Sequence, residues 1–144
     1  MKRKNIYIIL IATIVIITLS LVFYYFKKNS NKMTINTGKE KIEVTNVYKN
    51  PVEIFKSGVE FKKNSDYLID YYSPDQLFII IITNPNISEA RKRAEKDFLD
   101  TLSINQEQAC KLNIQLGVPF NVNEVAAGIN FGLSFCPNGI AFPK

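Results

Sequence analysis

The sequence predicts an N-terminal transmembrane helix followed by a small α+β domain, in which two helices pack on one face of a mostly antiparallel sheet. Three observations lead to this fold class: a 21-residue run without charge, several short segments of alternating hydrophobicity, and a helical period between residues 86 and 112. The predicted divisions are a basic flank (1–5), a transmembrane signal-anchor (6–26), a polar stalk (27–40) and an extracytoplasmic α+β domain (41–144).

The first element is the uncharged segment 6–26, whose 21 residues match the roughly 20 apolar residues that span the hydrocarbon core of a bilayer. Tyr7 and the aromatic cluster 23–26 stand where interfacial aromatic belts form. The alternative is a cleaved secretory signal, with a cleavage site at Thr18-Leu19-Ser20. The apolar run continues six residues past Ser20, which favours the uncleaved anchor.

The net charge of +5, from 18 Lys and Arg against 13 Asp and Glu, is unevenly distributed. The first 32 residues carry six cations and no acid, whereas residues 33–144 carry twelve cations and thirteen acids, a net −1. A near-neutral body argues against nucleic acid as a partner, because phosphate contacts dominate that affinity. Three cations flank each end of the apolar segment, so charge alone does not orient it.

Cys110 and Cys136 are the only cysteines, and the sequence has no histidine. A zinc site would need four ligands that the chain does not offer, so no metal or cofactor is expected. The pair is either a structural disulfide or two buried thiols, and an extracytoplasmic domain favours the disulfide. The same argument favours a cytoplasmic N-terminus with the domain outside, on a single-pass cell-membrane protein.

The strands are predicted from alternation. Ile42 and Val44, with Val47 beyond them, indicate a first strand, and residues 51–63 show no regular pattern. Residues 67–72 and 77–83 flank Ser73-Pro74-Asp75-Gln76, which has the chemistry of a type I turn and predicts a hairpin.

Within this hairpin, the run from Leu77 to Ile82 is apolar without alternation. It is therefore predicted to be the central strand, covered on both faces. Alternation at 114–120 and 129–135 predicts two further strands after the helices.

The helices are predicted from their N-capping residues and from apolar residues that recur at helical spacing. Asn86 and Glu89 resemble a capping box, and apolar residues follow at helical spacing: Ile87, Ala90, Ala94, Phe98 and Leu102. Opposite charges at i,i+4 predict a solvated outer face: Glu89–Arg93, Arg91–Glu95, Arg93–Asp97 and Lys96–Asp100. Asn105 and Gln108 repeat the cap signature and open a second, shorter helix.

None of the candidate functional motifs carries an activity. Residues 98–112 have the outline of a helix-turn-helix, but the five cations and five acids of 85–115 leave no net charge to hold phosphates. In the run Arg91-Lys92-Arg93, both arginines have acidic partners at i+4, and Asp97 and Asp100 are neutralised by neighbouring cations. The chain is therefore predicted not to be an enzyme. Asn86-Ile87-Ser88 fits the glycosylation sequon, but Asn86 is interpreted as the helix cap.

Residues 98–136 resemble the C-terminal part of a family of short, uncharacterised bacterial proteins with a single membrane anchor. The resemblance is carried by Phe98-Leu99, Leu102, Ile104, Ala109-Cys110-Lys111-Leu112, Val118-Pro119, Ala127-Gly128 and Gly132-Leu133-Ser134-Phe135-Cys136. It implies that both cysteines, Gly128 and Gly132 belong to one structural unit, and it supplies no catalytic or binding residue.

The sequence thus predicts a membrane-anchored interaction or structural module of the cell envelope. Its partners would be the lipid bilayer, through residues 6–26, and an unidentified envelope protein. A pilin-like or secretion-apparatus subunit is an alternative, although the apolar run lacks the glycine and glutamate usual in pilins. A secreted small domain, released by cleavage, is the other alternative.

Overall fold

The computed structural model describes residue 11, residues 13–24 and residues 31–143. The chain divides into two compact units, Met1–Lys32 and Met33–Lys144, and each is described by itself.

Residues 13–24 of the first unit are helical, and their apolar side chains are exposed. The hydroxyls of Thr18 and Ser20 donate to the carbonyl oxygens of Val15 and Ile16, at 2.9 and 2.8 Å. These hydroxyls are therefore satisfied within the helix, as expected for polar residues in an apolar segment.

In the stretches that the structure describes, no helix is both long and apolar enough to cross a membrane. The predicted segment 6–26 includes residues 6–10, 12, 25 and 26, which lie outside the described residues. The membrane anchor stays a prediction.

The second unit is an α+β domain with a mixed sheet. Its elements, in chain order, are β1 (Lys32–Asn36), β2 (Lys41–Thr45), β3 (Glu53–Phe55), β4 (Gly58–Lys63), β5 (Tyr67–Tyr72), β6 (Leu77–Ile82), α1 (Ile87–Leu102), α2 (Gln106–Ala109) and β7 (Asn113–Gly117).

Strands β1 and β2 form a separate two-stranded sheet, and the other five form a sheet in the order β3-β4-β5-β6-β7. Neighbours from β3 to β6 are antiparallel, whereas β6 and β7 are parallel. The two helices carry the chain from the end of β6 back to its start, which is the connection that a parallel pair requires. The sheet is thus mixed, and the coarser prediction of an α+β fold is confirmed.

The predicted hairpin is confirmed. Strands β5 and β6 pair from Tyr67 opposite Ile82 to Tyr72 opposite Leu77. The turn between them closes with the backbone N–H of Gln76 donating to the carbonyl of Ser73, at 3.4 Å.

Three segments differ from the prediction. Lys32–Asn36, which the sequence places in the polar stalk, pairs with β2, and residues 53–63 form two strands where no regular pattern was visible. Residues 129–135 form no strand. Gly128 and Gly132, at φ of 75° and 57°, bend this segment out of extended geometry.

The N-terminus of α1 also differs from the prediction. Asn86 is the N-cap residue, but its side chain makes no capping hydrogen bond. Instead, Asn84 Oδ1 accepts from the backbone N–H of Asn86 at 2.8 Å, and Glu89 binds Lys92 at 2.8 Å. The capping box of α2 is confirmed, because Asn105 and Gln108 each accept from the other's backbone N–H.

Helix α1 packs on β2, β5 and β6 with its predicted apolar stripe. The ring of Phe98 meets that of Phe78 edge-on, with centroids 5.3 Å apart. The stripe and the sheet side chains beneath it form the core: Ile87, Ala90, Ala94, Phe98, Leu102, Tyr67, Ile69, Tyr71, Phe78, Ile80, Ile82 and Leu116.

Candidate interaction surface

Two parts of the domain are chemically distinctive: a buried ionic tie that fastens the C-terminal segment, and the sheet face opposite α1. The tie joins α1 to residues 131–140.

The tie centres on Arg91 and Glu95 of α1, each about 5% exposed, with Nε and Oε1 2.8 Å apart. Arg91 also donates to three backbone carbonyl oxygens of the C-terminal segment: Ile140 at 2.7 Å, Gly132 at 2.8 Å and Phe131 at 3.2 Å. A buried guanidinium is stable here because each bond goes to a well-placed acceptor.

The same tie is completed from the carboxylate side. Glu95 accepts the backbone N–H of Ser134 at 2.6 Å and also the hydroxyl of Ser134. The ring of Phe142 lies beneath Arg91, 5.0 Å from the guanidinium carbon. The C-terminal segment is therefore held by charge-assisted bonds where a strand ladder is absent.

The disulfide adds a covalent tie to the same segment. Cys110, which follows α2, is bonded to Cys136, with their Cα atoms 5.4 Å apart. The sequence prediction of this bridge is confirmed. Gly132 and both cysteines line one small crevice, so this glycine shares their structural unit.

The sequence placed Arg91 and Glu95 on the solvated face of α1, and this placement is wrong. Both are buried, and so is the inner stripe that contains Ala90 and Ala94. The sequence does carry one signal for this burial. Arg91 directly follows Ala90, and Glu95 directly follows Ala94, so each charged residue stands beside a small residue of the apolar stripe. The outer-face pair Lys96–Asp100 is confirmed at 2.6 Å.

The other predicted pairs of α1 have different partners. Arg93 binds Asp66 at 2.7 Å, and Asp97 binds Lys62 at 2.9 Å and accepts the hydroxyl of Tyr67. Burial acts to raise the pKa of Asp97, but the bonds from Tyr67 and Lys62 hold it below its ordinary value. Burial and the nearby carboxylate raise the pKa of Tyr67 to about 12. These groups tie α1 to β4 and β5.

The sheet face opposite α1 is the candidate interaction surface. Along β6, Phe78, Ile80 and Ile82 point to the helix and are fully buried, whereas the alternate side chains are only half-buried. The prediction that this strand is central and covered on both faces is therefore wrong: β5 is the central strand, and one face of β6 is incompletely covered. We call the face formed by these alternate residues and their cross-strand neighbours the open face: Leu77, Ile79 and Ile81 of β6, Leu68, Asp70 and Tyr72 of β5, Gly58, Glu60 and Lys63 of β4, Glu53 and Phe55 of β3, and Asn113, Gln115 and Gly117 of β7.

One row across the open face changes from acidic to apolar. Glu53 lies opposite Glu60, Glu60 opposite Asp70, Asp70 opposite Ile79, and Ile79 opposite Gln115. Directly opposite side chains have Cβ atoms about 5 Å apart, so the carboxylates of this row repel each other. The row therefore has a charged half, and an uncharged half that consists of Ile79 and Gln115.

Glu60 and Asp70 of this row differ in their hydrogen-bond partners. Glu60 is 7% exposed and binds Lys63 Nζ through both oxygens, at 3.1 and 3.2 Å. Asp70 Oδ1 is buried and has no hydrogen-bond partner among the described residues. Burial, with repulsion from Glu60 and a smaller contribution from Glu53, raises the pKa of Asp70 from 3.8 to about 6.

A groove of about 350 Å³ lies at the apolar end of the row. Ile79 and Ile81 line it from β6 and Gln115 from β7, together with Gly128 and Ile129 of the C-terminal segment. The side chain of Ile129 is itself 41% exposed. The groove and Asp70 are contiguous through Ile79, which touches both.

The described residues offer few other candidate sites for a metal ion or a ligand. No group of three or more His, Cys, Asp or Glu there is placed to hold a metal ion. A second pocket of about 410 Å³ contains Lys111, but this ammonium is paired with Glu40 at 3.2 Å and Glu107 at 3.1 Å. In the helix-turn-helix outline, the side chains of Asn105 and Gln108 are engaged in the cap of α2.

No protein-family model, curated protein or solved structure matches this chain. The resemblance seen in residues 98–136 stays a prediction. The fold and the surface define the second unit as a disulfide-closed α+β domain with one closed and one open sheet face.

Proposed function

We propose that this chain is a single-pass membrane protein that displays its α+β domain outside the cell and docks there to an envelope protein, without catalysis. The observation that carries the proposal is the order of two features along the chain: an uncharged 21-residue segment, then a domain closed by the Cys110–Cys136 disulfide. Such bonds persist in oxidising compartments, which favours the outside for this domain.

The charge distribution supports the same function. The excess cations flank the segment 6–26, and the remainder carries a net −1. A near-neutral domain with a half-buried apolar sheet face suits a protein partner better than a polyanion.

Topology is tested with single cysteines on either side of the segment. Lys56, which is exposed, is changed to Cys in the full chain, and Asn5→Cys is the matched control. A membrane-impermeant maleimide is expected to label Lys56→Cys in intact cells and Asn5→Cys only after permeabilisation. The native cysteines stay unlabelled because they are bonded to each other.

The reverse pattern, with Lys56→Cys labelled only after lysis, contradicts the proposed topology. The intact mass of the membrane-extracted chain tests the cleaved alternative. A mass that includes residues 1–26 supports the anchor, and a shortened chain in the medium supports secretion.

A further inference from the structure

We propose that the open face binds a segment of the partner protein in which aliphatic side chains flank a lysine or arginine. This inference rests on the proposed docking function and specifies its surface and the chemistry of its partner.

The apolar half of the open face indicates the first part of that chemistry. Leu77–Ile82 has no polar residue, a composition typical of strands covered on both faces. The structure covers Phe78, Ile80 and Ile82 with α1 but leaves Ile79 and Ile81 half-buried beside a groove of about 350 Å³. Aliphatic side chains of a partner would bury Ile79 and Ile81, so that both faces of β6 would be covered.

The acidic half indicates the second part. Asp70 Oδ1 is buried without a hydrogen-bond partner among the described residues, next to the carboxylate of Glu60. Neighbouring carboxylates repel each other, and a cation brought to the face relieves that repulsion and forms charge-assisted hydrogen bonds. A lysine or arginine placed beside the exposed Glu53 and the half-buried Asp70 would do this while its neighbours enter the groove.

A second copy of this chain fits the open face less well. In a two-fold pairing, the acidic row of one copy meets either the acidic row or the apolar end of the other. Lys63, the cation at this face, already binds Glu60 through both carboxylate oxygens. Anionic lipid headgroups would be repelled by the carboxylates of Glu53, Glu60 and Asp70. Charge complementarity therefore favours a cationic segment of another protein.

The chemistry is tested by selection of random dodecapeptides displayed on phage, against the full chain in detergent micelles. Peptides that combine a Lys or Arg with at least two flanking aliphatic residues are expected to be enriched. The probe for all later measurements is the most enriched peptide, labelled with a fluorophore and titrated by anisotropy.

Two pairs of substitutions locate the binding. Ile79→Thr with Ile81→Thr keeps β-branched residues on the strand and removes the apolar floor of the groove. The matched control is Val52→Thr with Ile54→Thr, which alters two exposed apolar residues elsewhere, 55% and 63% exposed. The peptide is expected to bind at least about tenfold more weakly to the first pair and equally well to the control.

Asp70→Asn tests the cation. This variant is expected to weaken the peptide about tenfold, and the loss should vanish for the same peptide with its Lys or Arg replaced by Met. Enrichment of peptides without a cation, no enrichment at all, or equal binding to the Ile79→Thr/Ile81→Thr chain would overturn the proposal.

A photo-crosslinking residue in living cells separates this inference from the proposed function. It is placed at Gln115, exposed at the end of the row on the open face, and separately at Lys92, on the outer side of α1. A crosslink from Gln115 to a protein peptide rich in aliphatic residues with a Lys or Arg supports the inference. A protein crosslink from Lys92 alone overturns the inference but leaves docking intact, and no protein crosslink from either site contradicts docking itself.

Discussion

The two faces of strand β6 are equally apolar in sequence but differ in how far they are buried. On the face toward α1, Phe78, Ile80 and Ile82 are fully buried. On the open face, Ile79 and Ile81 are as apolar but only half-buried. The difference shows that the hydrophobicity of β6 exceeds what the described domain covers by itself.

Two carboxylates, the buried Glu95 and the half-buried Asp70, show the same contrast in polar terms. Glu95, in the C-terminal tie, has Arg91 and two donors from Ser134. Asp70, on the open face, has a buried oxygen without a partner among the described residues and a second acid, Glu60, directly opposite. One carboxylate is neutralised within the chain, whereas the other lies in a row of like charges that a cationic partner would relieve.

The largest effect is expected from breaking the buried pair of Arg91 and Glu95. Arg91→Ala leaves Glu95 buried without its counter-ion and frees three backbone carbonyls, so the free energy of unfolding should fall by about 4 kcal/mol. Guanidinium denaturation of the full chain in detergent measures the loss. Lys92→Ala, one residue further on the exposed side, is the control and should change stability by less than about 0.5 kcal/mol.

The disulfide is the second tie on this side of the domain. Replacing Cys110 and Cys136 together by Ala releases a loop spanning 26 positions, and chain entropy predicts a loss of about 3.5 kcal/mol. Denaturation of the oxidised chain against the double variant measures this. An unchanged midpoint would mean that the Arg91–Glu95 tie alone fixes the segment.

The two faces are compared directly by Ile80→Ala and Ile79→Ala. Ile80 is fully buried, so its truncation should cost about 3 kcal/mol, the usual range for a core aliphatic residue. Ile79 lies one residue away and is half-buried, so about 1 kcal/mol is expected. Equal losses would show that the open face is already covered in the isolated chain.

Local patterns predicted much of this fold. The hairpin, the apolar stripe of α1 and the capping box of α2 follow from signals within a few residues of each other. The bridge between Cys110 and Cys136 was favoured over two buried thiols by the predicted extracytoplasmic location, and the sequence offers no other cysteine as a partner for either.

What the sequence did not reveal depends on contacts between distant segments. Arg91 and Glu95 have the spacing of a surface ion pair, and only the arrival of residues 131–140 makes them buried. Strand β3 has three residues, which is too short for a periodic signal. The open face required the register of five strands, because Glu53, Glu60 and Asp70 are dispersed along the chain.

The last expected effect is a gain of stability on the open face. The pKa of Asp70 is about 6 in the folded chain, raised from 3.8 by burial and by Glu60 and Glu53 and lowered by Lys63, while its neighbour from β6 is the uncharged Ile79. A raised carboxyl pKa means that folding favours the protonated form. The contribution of Asp70 to stability is therefore greatest below about pH 4 and falls as the pH rises to about 6.

Asp70→Asn removes this penalty, so the variant should be more stable at pH 7 by about 1 to 2 kcal/mol, with allowance for solvent screening, and should show no gain at pH 4. Asp66→Asn is a control of opposite sign, because the bond from Asn84 outweighs burial and, with that from Arg93, lowers the pKa of Asp66. That variant should lose stability at pH 7. Thermal unfolding of both variants at the two pH values measures the difference. A destabilised Asp70→Asn chain at pH 7 would mean that Asp70 already has a partner within the protein, and the contrast between the two faces would then rest on the isoleucines alone.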